Sequence, residues 1–342
     1  MTGPTAPEAM DPDELAKVAA NNRSVMHRYM EGLSSTQPPA ERIDPPAVRM
    51  VRDIAYDAPA DSAGPSAVLH LDLYLPEPAA APAPVVVWLP GGGWRNQRRG
   101  MGPRLTRLFA ERGYAMADIE YRSSELSPWP AQLHDVLAAL RRVRSLADEY
   151  RLDAGAIGLW GSSAGAHLAL STAFAASAES PHQLPGIRAV VAGYPPTDLP
   201  RLNDDALPGG VLAVDATDPS WGLLGGPPAE RTEAAAHASP TQQVHAAVPP
   251  VLLLHGDADV LIGPGQSRRL YDALLAAGTE AHLLLVHGEN HGFLNFGDWE
   301  LGPKAATLLT SRAPGVERTA VLTPALVERF FDRHLRSDPW NA

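Results

Sequence analysis

The sequence contains no cysteine among its 342 residues. This absence excludes disulfide bonds, thiolate metal sites and a cysteine nucleophile. Lysine is nearly absent as well, occurring only at Lys17 and Lys304, so almost all basic residues are arginine. The formal net charge is −11, which argues against nucleic acid or an anionic membrane surface as the main partner.

Long hydrophobic runs are also missing. No stretch approaches the roughly 20 apolar residues that cross a membrane, and residues 1–20 lack the apolar centre of a signal peptide. We therefore expect no membrane partner and a cytoplasmic location. Zinc-protease, Walker and dinucleotide-binding motifs are absent too, so we expect neither a metal nor a cofactor. A hydrophobic content of 45% is typical of a globular protein.

Predicted strands and helices alternate from about residue 48. Apolar or alternating runs predict strands over 68–74, 85–89, 114–121, 156–160, 190–191, 251–254 and 283–286. Amphipathic patterns predict helices over 103–112 and 133–143, another helix after residue 163, and a last one from residue 323. Such alternation predicts an α/β fold with a mostly parallel central sheet flanked by helices.

The same patterns divide the chain into an arm and a domain. We expect residues 1–47 to form an N-terminal arm, in which 11–31 have the capping signals and apolar stripe of a helix. Residues 48–342 form the main domain. Two segments break its alternation, about 195–245 and about 296–322. We expect the first segment, together with the N-terminal helix, to form a cap, and the second to be an extra loop.

Ser163 is the candidate nucleophile. It lies in the motif Gly161-Ser162-Ser163-Ala164-Gly165, between a predicted strand and a predicted helix. The two glycines allow a sharp turn that exposes a serine at the end of the strand. Ser162 is a neighbouring rival, but only Ser163 lies between the glycines at the required offsets.

A carboxylate and a histidine follow two later strands. Asp259 lies just beyond the buried run 251–254, where side chains reach the ligand-binding edge of a parallel sheet. Asp257 is its competitor, with a solvent-exposed position as the simpler interpretation. His291 follows the strand 283–286 and a turn, which suits a general base. Glu289 is an alternative acid, for which a solvated loop carboxylate is the simpler interpretation.

Position separates His291 from the other histidines, of which the chain has 12 in all. His287 lies too close to the end of its strand. His167 lies on the helix after the nucleophile, where packing is the simpler role. His255 is placed to support the turn before Asp259.

The loop Pro90-Gly91-Gly92-Gly93-Trp94 directly follows a buried strand. Consecutive glycines let backbone N–H groups converge on an anion, although a plain flexible turn is the alternative. We predict that the N–H groups of Gly92 and Gly93 join that of Ala164 in an oxyanion hole. Trp94 is a candidate substrate-binding residue. Trp129 and Trp221 are weaker candidates, and core packing is the competing role for all three tryptophans.

With these motifs the chain resembles the α/β-hydrolase fold, and within it the esterases and lipases related to hormone-sensitive lipase. The resemblance covers about residues 65–295 and the last helix. It implies a catalytic domain with the triad Ser163, Asp259 and His291. The glycine loop of that group usually opens with histidine, and here it opens with Pro90, which is similar to some acetyl-xylan and feruloyl esterase-like members.

The resemblance implies a serine carboxylesterase that hydrolyses short-chain or small acyl esters through an acyl-enzyme, with a small-molecule ester as its partner. Three alternatives stay open: an arylformamidase or other amide or ester hydrolase on the same fold, a catalytically silent hydrolase-like binding module, and an acyltransferase. A homodimer is an open possibility for the assembly.

Overall fold

The computed structural model describes residues 48–58, 67–77, 81–100, 103–178, 184, 186–211, 217–295 and 302–336. The predicted N-terminal arm and cap helix, residues 1–47, lie outside the described residues. So do 212–216 of the predicted cap segment and 296–301 of the predicted extra loop.

Ten strands of the described chain form one sheet in the order β1-β2-β4-β3-β5-β6-β7-β8-β9-β10. The central strands β3 to β8 pair in parallel, whereas β1 and β2 at one edge and β9 and β10 at the other pair antiparallel. The strands are β1 (Val48–Ala58), β2 (Ala67–Pro76), β3 (Ala83–Leu89), β4 (Ala115–Ile119), β5 (Leu152–Ser162), β6 (Ile187–Gly193), β7 (Val251–Gly256), β8 (Ala281–Val286), β9 (Lys304–Thr310) and β10 (Arg318–Leu322).

Helices cover both faces of this sheet. The described helices are α1 (Pro103–Glu111), α2 (Ala131–Ser145), α3 (Ala147–Tyr150), α4 (Ala164–Ala178), α5 (Pro219–Leu224), α6 (Thr232–His237), α7 (Gly265–Ala276) and α8 (Pro324–Leu335). Helices α2, α4 and α7 contribute to one hydrophobic cluster, and α1 and α8 contribute to the other. Short 3-10 turns lie at Leu199–Arg201, Asn203–Asp205 and Pro240–Gln243.

Strand β3 shows why a continuous apolar run predicts a central strand. Val85, Val87 and Leu89 enter the cluster on one face, whereas Val86 and Trp88 enter the cluster on the other. Because successive side chains of a strand point to opposite faces, a strand covered on both sides needs apolar residues at every position. The predicted mostly parallel sheet flanked by helices is therefore confirmed.

The extra loop predicted over about 296–322 is wrong for its described part. Residues 304–310 and 318–322 are the antiparallel strands β9 and β10, and β9 continues the sheet beyond β8. Helix α7 and strand β1 were not predicted either. Within the described residues no helix has both the length and the apolar character needed to cross a membrane.

Candidate active site

A sharp turn between β5 and α4 presents Ser163 at the carboxyl edge of the sheet. Its backbone φ of +53° is a left-handed conformation that residues other than glycine rarely adopt. A Cβ on Gly161 would lie 2.4 Å from the carbonyl carbon of Gly165, and one on Gly165 would lie 2.0 Å from the Leu89 oxygen. Only glycine therefore fits on either side of the turn, which explains the spacing of the motif.

His291 links Ser163 to Asp259. The Oγ atom of Ser163 lies 2.8 Å from Nε2 of His291, and Nδ1 of His291 lies 2.7 Å from Oδ2 of Asp259. Because an ionised carboxylate only accepts hydrogen bonds, Nδ1 carries the proton and Nε2 accepts from the Ser163 hydroxyl. The three side chains predicted from distant motifs thus meet in one hydrogen-bonded row.

The Asp259 carboxylate is fully buried and surrounded by donors. Its Oδ1 accepts from the backbone N–H groups of Leu261 and Ile262, each at 2.9 Å. His255 lies 3.3 Å from Oδ2 and also donates to the Ile262 carbonyl. Burial raises the pKa of Asp259, but the electrostatic interaction with His291 and the hydrogen bonds from His255 and His291 outweigh burial and hold this pKa below its usual range. Asp259 is therefore a carboxylate at neutral pH.

The rival residues lie outside this row. Ser162 is fully buried. Asp257 is exposed and accepts from the Gly288 N–H, and Glu289 pairs with Lys304 at 2.6 Å. His287 is exposed and contacts the Thr307 hydroxyl. None of these contacts joins Ser163.

The glycine loop lies directly against the nucleophile turn. A Cβ on Gly91 would come within 3.3 Å of the Ser163 Cβ. Gly92, Gly93 and Trp94 have φ values of +124°, +60° and +59°, so three successive residues depart from the usual backbone regions. The loop predicted to hold the oxyanion thus adjoins Ser163, while the binding of an oxyanion by the Gly92, Gly93 and Ala164 N–H groups stays a prediction.

Residues 71–274 match the BD-FAE family, a span that includes the glycine loop, Ser163 and Asp259. The chain belongs to the BD-FAE family.

Two further similarities concern single proteins. The chain is 30% identical over 237 residues to the probable carboxylic ester hydrolase LipM of Mycobacterium tuberculosis, which covers 66% of this chain and 53% of LipM. A truncated carbohydrate esterase from gut microbiota matches with a TM-score of 0.62 and 28% identity over 77% of this chain and 96% of that one. The chain therefore spans about half the length of LipM and nearly all of that solved esterase.

An inhibited esterase B from Lactobacillus rhamnosis shows the same fold with a TM-score of 0.64 and 22% identity, over 93% of this chain and 95% of that one. This similarity confirms the predicted α/β-hydrolase fold, and the BD-FAE match together with the similarity to LipM confirms the predicted esterase group.

In this BD-FAE protein Trp94 lies mostly inside the molecule. The residue is 4% exposed, and its indole N–H donates to Nδ1 of His167 at 3.2 Å. The predicted contact of Trp94 with substrate stays a prediction. His167 packs in the interior beside the Ser163 turn, as the sequence indicated.

Two tyrosines adjoin the site: Tyr121, which the sequence indicated as a structural brace, and Tyr194, which sequence reasoning missed. The Tyr121 hydroxyl donates to the Pro90 carbonyl at 2.7 Å, so it holds the start of the glycine loop. Tyr194 stacks edge-on against His291, with ring centroids 4.7 Å apart. Its position just after β6, at the same sheet edge as the triad, was the available signal.

Proposed function

We propose that this protein is a serine carboxylesterase that hydrolyses short-chain or small acyl esters through an acyl-enzyme. The observation that carries the proposal is the row of Ser163, His291 and Asp259, joined by contacts of 2.8 and 2.7 Å. The names of LipM and of the carbohydrate esterase support the same class of reaction.

In the first step Ser163 Oγ attacks the ester carbonyl carbon and its proton passes to Nε2 of His291. The carbonyl π electrons move to the oxygen, which becomes an oxyanion. N–H groups of Gly92, Gly93 and Ala164 bind this charge in the proposal. Asp259, held ionised by its donors, stabilises the imidazolium that forms.

The tetrahedral intermediate then loses its alcohol. His291 gives its proton to the leaving oxygen, and the acyl group stays on Ser163. Water attacks the acyl-enzyme while His291 takes a proton, and the carboxylic acid leaves with regeneration of the serine hydroxyl. In this proposal the catalytic groups are side chains and backbone N–H groups of this chain, and water is the second nucleophile.

We place the substrate among small acyl esters of a sugar or another alcohol. The Pro90-Gly91-Gly92-Gly93 loop and the similarity to a carbohydrate esterase support this class. We also propose that the described part of the segment 195–245 belongs to a cap that limits acyl size. Its contact with the glycine loop supports this, because a Cβ on Gly93 would lie 3.1 Å from Pro219 of that segment. Cytoplasmic location and a homodimer stay predictions, to be tested by cell fractionation and light scattering.

The test is hydrolysis of p-nitrophenyl esters from acetate to decanoate, with acetylated and feruloylated sugars included. We expect Ser163→Ala to lower kcat by at least about 10⁴-fold without a change in circular dichroism. Ser162→Ala is the matched control, and we expect it to keep activity within about fivefold because no contact joins that hydroxyl to the triad.

Labelling by a fluorophosphonate separates the alternatives. Full activity in Ser163→Ala would move the nucleophile elsewhere. Labelling of Ser163 with turnover only of formylkynurenine, or only in the presence of an acceptor alcohol, would favour an arylformamidase or an acyltransferase. Absence of both labelling and turnover would leave a binding module.

A further inference from the structure

A buried hydrogen bond joins the glycine loop to the helix that follows the nucleophile. The indole N–H of Trp94 donates to Nδ1 of His167 at 3.2 Å, and the two rings meet edge-on with centroids 5.2 Å apart. Trp94 directly follows Gly93. His167 lies one helical turn after Ser163, whose carbonyl accepts the His167 N–H at 3.0 Å. The bond therefore connects the two elements that carry the proposed oxyanion donors.

The other ring nitrogen of His167 reaches a third segment. Its Nε2 lies 2.6 Å from the carbonyl oxygen of Ala238, in the segment 195–245. A carbonyl only accepts, so Nε2 carries the proton and Nδ1 is left as the acceptor that Trp94 needs. One imidazole in one tautomer thus holds the glycine loop, the nucleophile helix and the cap segment together.

The surroundings of His167 keep its ring in this neutral tautomer near neutral pH. His167 is fully buried, and the rings that face it belong to Trp94 and Trp129, which carry no charge. Burial lowers the pKa of His167 to about 4, against the opposing effect of the hydrogen bond to Ala238. Nδ1 therefore remains unprotonated, and able to accept, throughout the neutral range.

Trp94 is a residue whose backbone needs such a partner. Its φ of +59° lies in the left-handed region that residues other than glycine rarely adopt. Its carbonyl accepts from the Ser124 N–H at 2.9 Å, and its indole is held by His167. Because Gly92 and Gly93 immediately precede it, a rotation of the Trp94 backbone would redirect their N–H groups.

We propose that His167 is a positioning residue for the esterase reaction: by accepting the indole N–H of Trp94, it fixes the Gly92 and Gly93 N–H groups relative to Ser163. The inference rests on the proposed function and adds a residue to it. It differs from a packing role because it depends on one acceptor atom, Nδ1, and not on the volume of the ring.

Three substitutions separate the two hydrogen bonds. His167→Asn puts an amide oxygen near the position of Nδ1, so it keeps an acceptor for Trp94 and loses the bond to Ala238. His167→Gln puts an amide nitrogen near the position of Nε2, so it keeps the bond to Ala238 and loses the acceptor for Trp94. His167→Phe keeps the ring and loses both bonds.

We expect kcat on p-nitrophenyl acetate to fall about 10–100-fold in His167→Gln and His167→Phe and less than about threefold in His167→Asn. The larger losses are a fraction of the 10²–10³-fold that follows deletion of one oxyanion donor. KM is expected to change little, because the oxyanion is absent from the bound ester. Active-site titration with a fluorophosphonate normalises each rate to folded enzyme.

A trifluoromethyl ketone supplies a readout of the oxyanion site itself. Ser163 Oγ adds to its carbonyl carbon, the serine proton passes to His291, and the carbonyl oxygen becomes an anion. We expect its inhibition constant to rise in parallel with the loss of kcat in His167→Gln and His167→Phe. His237→Phe is the matched control, since it removes a similar bond from Trp129 Nε1 at 2.8 Å whose partners lie outside the glycine loop.

Several outcomes would overturn the inference. Equal kcat values for His167→Asn and His167→Gln would show that the acceptor at Nδ1 is immaterial. Losses that disappear after normalisation to titrated sites, or an unchanged inhibition constant, would leave His167 a packing residue while the proposed function stands. A wild-type protein that hydrolyses no ester and takes no fluorophosphonate would overturn the proposed function and this inference together.

Discussion

At the scale of single residues, the site depends on a carboxylate, that of Asp259, whose two oxygens each accept hydrogen bonds. Both oxygens of Asp259 are engaged, Oδ1 by two backbone N–H groups and Oδ2 by His291 and His255. An amide group in this place would set an NH₂ against one of these donors. The tautomer of His291 is thus set by the ionised form of Asp259.

The first prediction compares two aspartates of one loop. Asp259→Asn should lower kcat/KM for p-nitrophenyl acetate by about 10³–10⁴-fold, because His291 is left in the wrong tautomer. Asp257→Asn should keep kcat/KM within about threefold, since Asp257 is exposed and contacts Gly288. Steady-state kinetics on both purified variants is the measurement. The reverse order of losses would reassign the acid of the triad.

The side chains that the sequence revealed are those placed by the ends of strands. Ser163, Asp259 and His291 each follow a predicted strand, and parallel strands bring their carboxyl ends to one edge. The bond between Trp94 and His167 was not predictable in this way. These residues are 73 positions apart, and their meeting depends on the tilt of a buried ring, which no local pattern encodes.

At the scale of elements, the turn between β5 and α4 is fixed by backbone contact. Residue 165 touches the carbonyl of Leu89 at the end of β3, so the nucleophile turn and the glycine loop meet without side chains between them. Such contact explains how the oxyanion donors proposed on two separate loops are brought close together.

The second prediction uses this contact. Gly165→Ala would place a Cβ 2.0 Å from the Leu89 oxygen, and we expect it to lower the free energy of unfolding by about 3 kcal/mol or more. Gly155→Ala is the control, since its Cβ would meet the flexible Asp153 side chain at 3.3 Å and should shift stability by less than about 1 kcal/mol. Urea unfolding followed by circular dichroism measures both. Equal stabilities would contradict the contact.

Among the elements that sequence reasoning missed, β9 lacks a strong pattern of its own. Strand β9 reads Lys-Ala-Ala-Thr-Leu-Leu-Thr, with small residues where a central strand has branched ones. Its pairing with β8 comes from tertiary contacts, including the His287 N–H to Ala305 carbonyl bond of 2.9 Å. By contrast, β3 and α8 were predicted because β3 is apolar throughout and α8 begins with the capping residue Thr323, which accepts from the Leu326 N–H.

At the scale of the whole molecule, one sheet shares its strands between two hydrophobic clusters. Strand β5, which leads to Ser163, contributes Ile157 and Leu159 to one cluster and Trp160 to the other. Phe331 of α8 packs on this strand, since a Cβ on Gly158 would lie 2.6 Å from its ring. Helix α8 therefore supports the strand that leads to Ser163 from the face of the sheet opposite α4. Loss of either hydrophobic cluster should therefore unfold both clusters.

The third prediction tests this shared support. Phe331→Ala removes a fully buried ring and should lower the free energy of unfolding by about 3–5 kcal/mol. The turnover of titrated active sites at 25 °C should stay within twofold, because Phe331 has no contact with the triad. On heating, activity and far-UV circular dichroism should disappear in a single transition that is several degrees lower than that of the wild type.

Val321→Ala, at a site 46% exposed on β10, is the control and should leave the transition within about 1 °C of the wild-type value. If activity in Phe331→Ala were lost at a lower temperature than the dichroism signal, the site would have a stability of its own, and the two clusters would not act as one folding unit.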